Sequence, residues 1–232
     1  MIKNEMVEKT IYFSIFIQIF TTLISSDGLY KTLEKKDMIL QDILKLEIFI
    51  QFIETGFYLW VIYALNDIHS MTSRRYIDWF ITTPLMLLSM IIFCKYQEYK
   101  IHNIPQFTVT EFINDEWDNI KKIAFYNAMM LLFGYLGETE ILPKNIAISI
   151  GFIFLYLSFS IIYQYAKKTE LGLKLLYFLA IIWGSYGVSA TFNVVEKNIS
   201  YNLLDIVSKN FYGLYIYYKI KENNEKYISE NR

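Results

Sequence analysis

The stretch at residues 201–218, YNLLDIVSKNFYGLYIYY, places one lysine, Lys209, in a run that is otherwise largely apolar and aromatic. An ionised group at the centre of a bilayer costs roughly 2.5–3.5 kcal/mol, so a lysine there needs a specific reason. Asp205 precedes Lys209 by four residues, and on a helix the two side chains therefore lie on one face. Two interpretations follow. The pair is an intramembrane salt bridge that holds helices together, or Lys209 is an amine nucleophile for a Schiff base with a carboxylate counter-ion.

The composition of the chain indicates a membrane protein. Of its 232 residues, 54% are apolar, 18% are aromatic and only 19% are charged. The apolar fraction exceeds the value of about 45–50% that is typical of globular proteins. The net charge of −1 gives no reason to expect a nucleic-acid partner, and the single cysteine, Cys94, excludes an intramolecular disulfide.

Seven sparsely charged stretches predict an all-α membrane protein, a bundle of seven transmembrane helices. They cover residues 10–26, 48–66, 79–94, 123–137, 145–166, 175–195 and 198–218. Several are shorter than the roughly 20 residues that a span requires, but each has a flanking turn that extends it. The sequence contains no repeat and no Gly/Ser/Pro-rich linker, so we expect residues 1–232 to form a single domain.

The basic residues predict the orientation of the bundle. With the N-terminus outside and the C-terminus cytoplasmic, fifteen Lys and Arg residues lie on the cytoplasmic side and six on the outer side. Cytoplasmic loops carry an excess of basic residues, which favours this orientation.

A second segment indicates the family. Residues 75–88, RYIDWFITTPLMLL, place Arg75, Asp78 and Thr82 at positions i, i+3 and i+7, which form one polar stripe on an apolar helix. The motif R-Y-x-D-W-x-x-T-T-P-L here, with Y-N-L-x-D-x-V-x-K-x-x-x-G-L downstream, resembles the third and seventh helices of microbial (type 1) rhodopsins. The resemblance implies a seven-helix retinal-binding domain in which all-trans retinal is bound covalently to Lys209 as a Schiff base.

The same resemblance implies roles for the polar side chains near Lys209. Asp78 would be the counter-ion and proton acceptor, Asp205 the second counter-ion, and Arg75 the cation that balances them. Thr82 would hydrogen-bond Asp78. The walls of the retinal site would be formed by Trp79, Met86, Trp183 and Tyr186.

At the position of the proton donor, the sequence departs from the pattern of proton pumps. The family position that holds a carboxylic donor in many pumps is Ser89, and the set Asp78, Thr82 and Ser89 resembles the Asp–Thr–Ser group of viral rhodopsins. The second span is similar to that of proteorhodopsin and contains Glu54. A carboxyl in this position has two interpretations, a proton donor to the site or a structural hydrogen bond between helices.

Residues 95–119 predict an extended cytoplasmic connection. It contains Pro105 and an acidic cluster interleaved with aromatic residues. We expect a surface helix at the membrane interface, with a docking element for a partner as the alternative.

The resemblance favours a light-driven outward proton pump, which is not an enzyme. The alternatives are a sensory photoreceptor, suggested by Ser89 and the long connection, and a light-gated ion channel, in which Glu54 would line a pore. Expected partners are retinal, protons and lipid, with a homo-oligomer (trimer or pentamer) in the plasma or a host-cell membrane.

The first prediction tests Lys209 as the sole attachment site, since every other lysine lies near a predicted membrane boundary or in a loop. Lys209→Ala, expressed with retinal, should give colourless protein, as read from the visible absorption spectrum. A visible band that persists in this variant and is bleached by hydroxylamine would contradict the assignment.

Overall fold

The computed structural model describes residues 2–63 and 68–231, and the helices account for most of them. Their bounds are α1 Ile2–Ser26, α2 Ile39–Tyr63, α3 Ile68–Ile101, α4 Val109–Asp115, α5 Trp117–Glu138, α6 Lys144–Ala166, α7 Glu170–Ser189, α8 Val194–Asp205 and α9 Phe211–Glu230. A π-helical turn, Ile206–Asn210, joins α8 to α9 into one continuous rod.

The helices form a closed ring around a common interior. Each of α1, α2, α3, α5, α6 and α7 packs against the next in this order, α7 packs against α8, and α8 returns to α1. With α8 and α9 taken as one span, the predicted seven-helix bundle is confirmed. The predicted sixth span, 175–195, is too long at its C-terminal end, because α7 ends at Ser189 and α8 begins at Val194. The predicted end of the second span, Asn66, lies outside the described residues.

Hydropathy alone identifies only part of this ring. Within the described residues, four segments are long and apolar enough to cross a membrane: Glu5–Tyr30, Met71–Ile101, Lys144–Ala166 and Glu170–Ser189. Two of the remaining spans, α2 and the α8–α9 rod, carry buried ionisable residues such as Glu54 and Lys209. These ionisable residues lower the average hydropathy of the two spans.

The connection predicted at residues 95–119 is mostly helical. Helix α3 continues to Ile101 and α5 already begins at Trp117. The stretch between α3 and α4 that lacks helix covers only residues 102–108. Helix α4 begins with a capping box, in which Thr108 and Glu111 hydrogen-bond each other's backbone N–H groups. These bonds from Thr108 to the carboxylate lower the pKa of Glu111.

A buried ion pair joins α5 to α8 at the end of the bundle that is predicted to face outward. The Nζ atom of Lys197 lies 2.6 Å from both carboxylate oxygens of Glu138. Their side chains are only 4% and 11% exposed. Loss of one partner from such a pair leaves a poorly solvated charge, which is strongly destabilising.

We therefore predict that Lys197→Met lowers the free energy of unfolding by about 3 kcal/mol, because Glu138 would remain buried without its cation. Thermal unfolding in detergent measures the change. The double variant Glu138→Gln/Lys197→Met should recover part of the loss, since it leaves no lone charge. Equal stability of the single variant and the wild type would refute this prediction.

Candidate functional site at Lys209

Lys209 lies in the π-helical turn that interrupts the last span. The regular helix α8 ends at Asp205, and the wider turn at Ile206–Asn210 follows directly. Single π-helical turns in α-helices occur frequently at functional sites. Lys209 is 1% exposed, so its amine is held entirely by protein groups.

Three carboxyl groups surround the amine of Lys209. Its Nζ atom lies 2.8 Å from Oδ2 of Asp78, 3.1 Å from Oε1 of Glu54 and 3.8 Å from Oδ1 of Asp205. These groups come from α3, α2 and α8, respectively, so the ring closure of the bundle assembles the cluster. All four side chains are buried.

Asp205 is the most heavily hydrogen-bonded of the three. Its Oδ2 accepts hydrogen bonds from the Tyr58 hydroxyl at 2.7 Å and from Nη1 of Arg75 at 3.0 Å. Its Oδ1 accepts from the Tyr186 hydroxyl at 2.7 Å and from the Trp79 ring N–H at 3.4 Å. Charge-assisted hydrogen bonds of this kind are strong, so the carboxylate of Asp205 is held firmly in place.

Asp78 is less fully satisfied. Its Oδ2 accepts a hydrogen bond from Lys209, while no group in the described part of the chain donates to its Oδ1. The expected hydrogen bond between Thr82 and Asp78 does not involve the Asp78 side chain. The Thr82 hydroxyl instead donates to the main-chain carbonyl of Asp78, one turn back on the same helix, at 2.9 Å. One oxygen of Asp78 is thus left to receive a proton.

Glu54 completes the charge balance of the cluster. Lys209 and Arg75 carry two positive charges, and the three carboxyls would carry three negative charges if all were ionised. A net charge in a dry interior is costly, so one carboxyl holds a proton. Within the described residues Lys209 is the one donor beside Glu54, at 3.1 Å, whereas Asp78 lies closer to that amine and Asp205 accepts several hydrogen bonds. Glu54 is therefore the least stabilised anion and the neutral member.

A largely apolar cavity of about 120 Å³ has Lys209 among its lining residues. Trp79, Met86, Trp183 and Tyr186, the four residues predicted as walls of a retinal site, all line it. Other lining residues include Tyr76, Leu131, Gly134, Gly151, Phe152 and Leu155. An apolar cavity with one amine among its lining residues matches an apolar aldehyde that condenses with that amine, so the residues present fit retinal.

Two glycines leave room for aromatic rings in the wall of this cavity. A Cβ atom at Gly187 would lie 2.5 Å from the Phe152 ring, and one at Gly134 would lie 2.8 Å from the Tyr76 hydroxyl. Both rings line the cavity, so Gly187 and Gly134 allow its aromatic walls to approach the helices closely.

Ser89 was expected at the donor position, and Glu47, Tyr58 and Asn202 were not among the predicted site residues. Ser89 is fully buried but lies away from Lys209, beside Glu47. Asn202 accepts a hydrogen bond from Arg75 and lies with Tyr58 on the Asp205 side of the cluster. The predicted second span began at residue 48, so Glu47 lay just outside it. The spacing of 47, 51 and 54, which puts three polar residues on one face of α2, is the signal that was available.

The comparisons with known proteins agree with this architecture. A family model described as bacteriorhodopsin-like protein matches residues 9–223. The solved structure of the viral rhodopsin OLPVRII superposes with a TM-score of 0.79 at 25% identity, covering 93% of this chain and 98% of that chain. The blue light-absorbing proteorhodopsin from Med12 gives 0.73 at 18% identity, covering 94% and 98%. No curated protein matches the sequence.

The charge balance predicts the spectrum of a variant. Glu54→Gln replaces a neutral carboxyl by a neutral amide of the same shape, so the visible absorption maximum of the retinal-bound protein should stay close to that of the wild type. Asp78→Asn, the matched control, removes a negative charge beside Lys209 and should shift the maximum. Shifts of equal size in the two variants would show that Glu54 is ionised.

Proposed function

Because the chain belongs to the bacteriorhodopsin-like family, we propose that it is a light-driven outward proton transporter with all-trans retinal bound to Lys209. Bound there as a Schiff base, retinal supplies the absorption of light and a change of shape that displaces the protonated nitrogen. The side chains of the protein carry out the remaining steps. The proposal includes an integral position in the plasma or a host-cell membrane, with the N-terminus outside.

The observation that carries the proposal is the unequal bonding of the two aspartates. Both lie within 4 Å of the Lys209 amine, but Asp205 accepts bonds from Tyr58, Tyr186 and Arg75, whereas one oxygen of Asp78 accepts none from the described residues. A carboxylate with fewer donors is the stronger base. Asp78 therefore takes the proton from the Lys209 nitrogen as general base, while Asp205 keeps its charge and holds Arg75 in place.

A polar route leads from this cluster to the predicted outer side. Arg75 donates to Asn202 and Asp205, and the Asn202 amide donates to the Thr10 hydroxyl at 2.7 Å. Further out, Asn198 and Thr72 are hydrogen-bonded to each other and fully buried. Hydroxyl and amide groups of this kind bind water, which carries protons away from Asp78.

One feature favours light-gated cation conduction as a second candidate function. Buried polar side chains line the interface of α1, α2, α3 and the α8–α9 rod over most of its length: Ser14, Gln18, Thr21, Gln51, Glu54, Thr72, Asn198, Asn202 and Asn210. The facing parts of α5, α6 and α7 bury far fewer polar groups. A continuous polar interface is what a water-filled pathway through the ring requires.

The transport prediction is that illumination acidifies the medium of cells that express the protein with retinal, and that a protonophore abolishes the change. Asp78→Asn should reduce acidification to background, because no base remains to take the proton. Asp118→Asn, a surface change in α5, should leave it intact. Acidification by Asp78→Asn would exclude Asp78 as the acceptor.

Voltage-clamp recording separates the two candidate functions. A pump current keeps its direction across the voltage range, because light drives it. A channel current reverses sign at the equilibrium potential of the conducted ion. Reversal that follows the cation gradient would replace the pump proposal with the channel.

A further inference from the structure

Besides Glu54, helix α2 buries the carboxyl of Glu47, about 12 Å from the start of the helix. It is 0% exposed, and neither of its oxygens has a hydrogen-bond partner within residues 2–63 and 68–231. The neighbours of the carboxyl are the Ser89 hydroxyl of α3 and the Tyr212 phenol of α9. No charged side chain in the described part of the chain pairs with it. A buried carboxylate without a partner is costly, so Glu47 carries a proton.

Glu47 shares one face of α2 with Gln51 and Glu54. Their spacing of four and three residues stacks the side chains one turn above another, and the row spans about 10 Å along the axis. Glu54, at one end of the row, lies 3.1 Å from the amine of Lys209. The row therefore connects a protonated carboxyl to the reactive nitrogen.

The middle of the row is polar and closely packed. The Thr22 hydroxyl donates to Oε1 of Gln51 at 2.7 Å, and a Cβ atom at Gly213 would lie 2.5 Å from Nε2 of Gln51. Nε2 of Gln51, Nε2 of Gln18 and Nδ2 of Asn210 are buried donors without acceptors among the described groups. Buried donors of this kind bind internal water, and a chain of such water conducts protons.

On the side of Glu47 that faces away from Lys209, the surrounding side chains are apolar. Fully buried Leu40, Ile43 and Leu44 of α2 pack in one cluster with Ile216 and Ile220 of α9. This layer separates Glu47 from the polar groups at the end of the bundle, where Lys100 and Tyr96 contact Asp37. Glu47 therefore communicates more readily with Lys209 than with the cytoplasm in this conformation.

From this arrangement we propose that Glu47 is the proton donor that restores the proton of the Lys209 nitrogen, an inference that rests on the proposed light-driven proton transfer. After Asp78 has taken the proton, the O–H bond of the Glu47 carboxyl breaks and a proton reaches the nitrogen through water along Gln51 and Glu54. Glu47 becomes a carboxylate, and a proton from the cytoplasm neutralises it when the apolar layer opens. No electron transfer is involved.

Flash photolysis of Glu47→Gln tests the proposal. The form in which the Lys209 nitrogen has lost its proton absorbs in the near ultraviolet, and its decay should slow by roughly 10²-fold, the contribution of a positioned acid. The decay should also become dependent on external pH, because protons then come from bulk water, and added azide should restore the fast rate. Glu47→Asp retains a carboxyl, so its decay rate should remain closer to that of the wild type. This variant is also the control that the site tolerates substitution.

Infrared difference spectroscopy gives an independent readout. A carboxylic C=O band should disappear in the wild type while the near-ultraviolet form decays, and the same band should be missing from Glu47→Gln. Glu170→Gln, a change of the same kind on the exposed start of α7, serves as the matched control and should change neither the band nor the decay.

Three results would overturn the proposal. Unchanged decay in Glu47→Gln excludes Glu47 as the donor. Slow, azide-sensitive decay in Glu54→Gln combined with normal decay in Glu47→Gln assigns the role to Glu54 instead. A wild-type protein that forms no near-ultraviolet species refutes both this inference and the proposed function, whereas the first two results leave the proposed function standing.

Discussion

The cost of burying charge organises the interior of this protein. Lys209 and Arg75 are fully buried cations, and neither has access to water. Their charges are tolerable because the carboxylates of Asp205 and Asp78 pair with them, while the neutral carboxyl of Glu54 on α2 lies beside Lys209. A buried cation that loses its counter-ion is strongly destabilising, so the relative positions of α2, α3 and α8 are tied to the charge balance of one cluster.

The cluster divides the bundle into two halves with different physical character. The half formed by α1, α2, α3 and the α8–α9 rod buries amides, hydroxyls and carboxyls, whereas the half formed by α5, α6 and α7 supplies an apolar cavity with aromatic walls. Lys209 lies at the boundary between them. Such a division suits a protein that holds an apolar chromophore on one side and moves protons on the other.

The fold was largely predictable from the sequence because a bilayer imposes simple demands. Each span must be helical and mostly apolar, so counting sparsely charged stretches yields the seven helices. The errors occurred where polar and apolar segments meet: the sixth span was extended past Ser189, and the second span was begun at residue 48, which left out Glu47. Hydropathy reports average composition along the chain and contains no information on which face of a helix is buried.

The site was less predictable from the sequence than the fold. Residues that share a helix, such as Asp205 with Lys209 or Arg75 with Asp78, have separations determined by the 3.6-residue repeat, and the sequence alone determined these pairs and the motifs that contain them. Only the tertiary structure decided that Glu54 contacts Lys209, that Asp205 is saturated with donors while Asp78 is not, and that Glu47 lies beside Ser89. These are distances between helices. They depend on how side chains of the whole ring pack against one another, which no local spacing encodes.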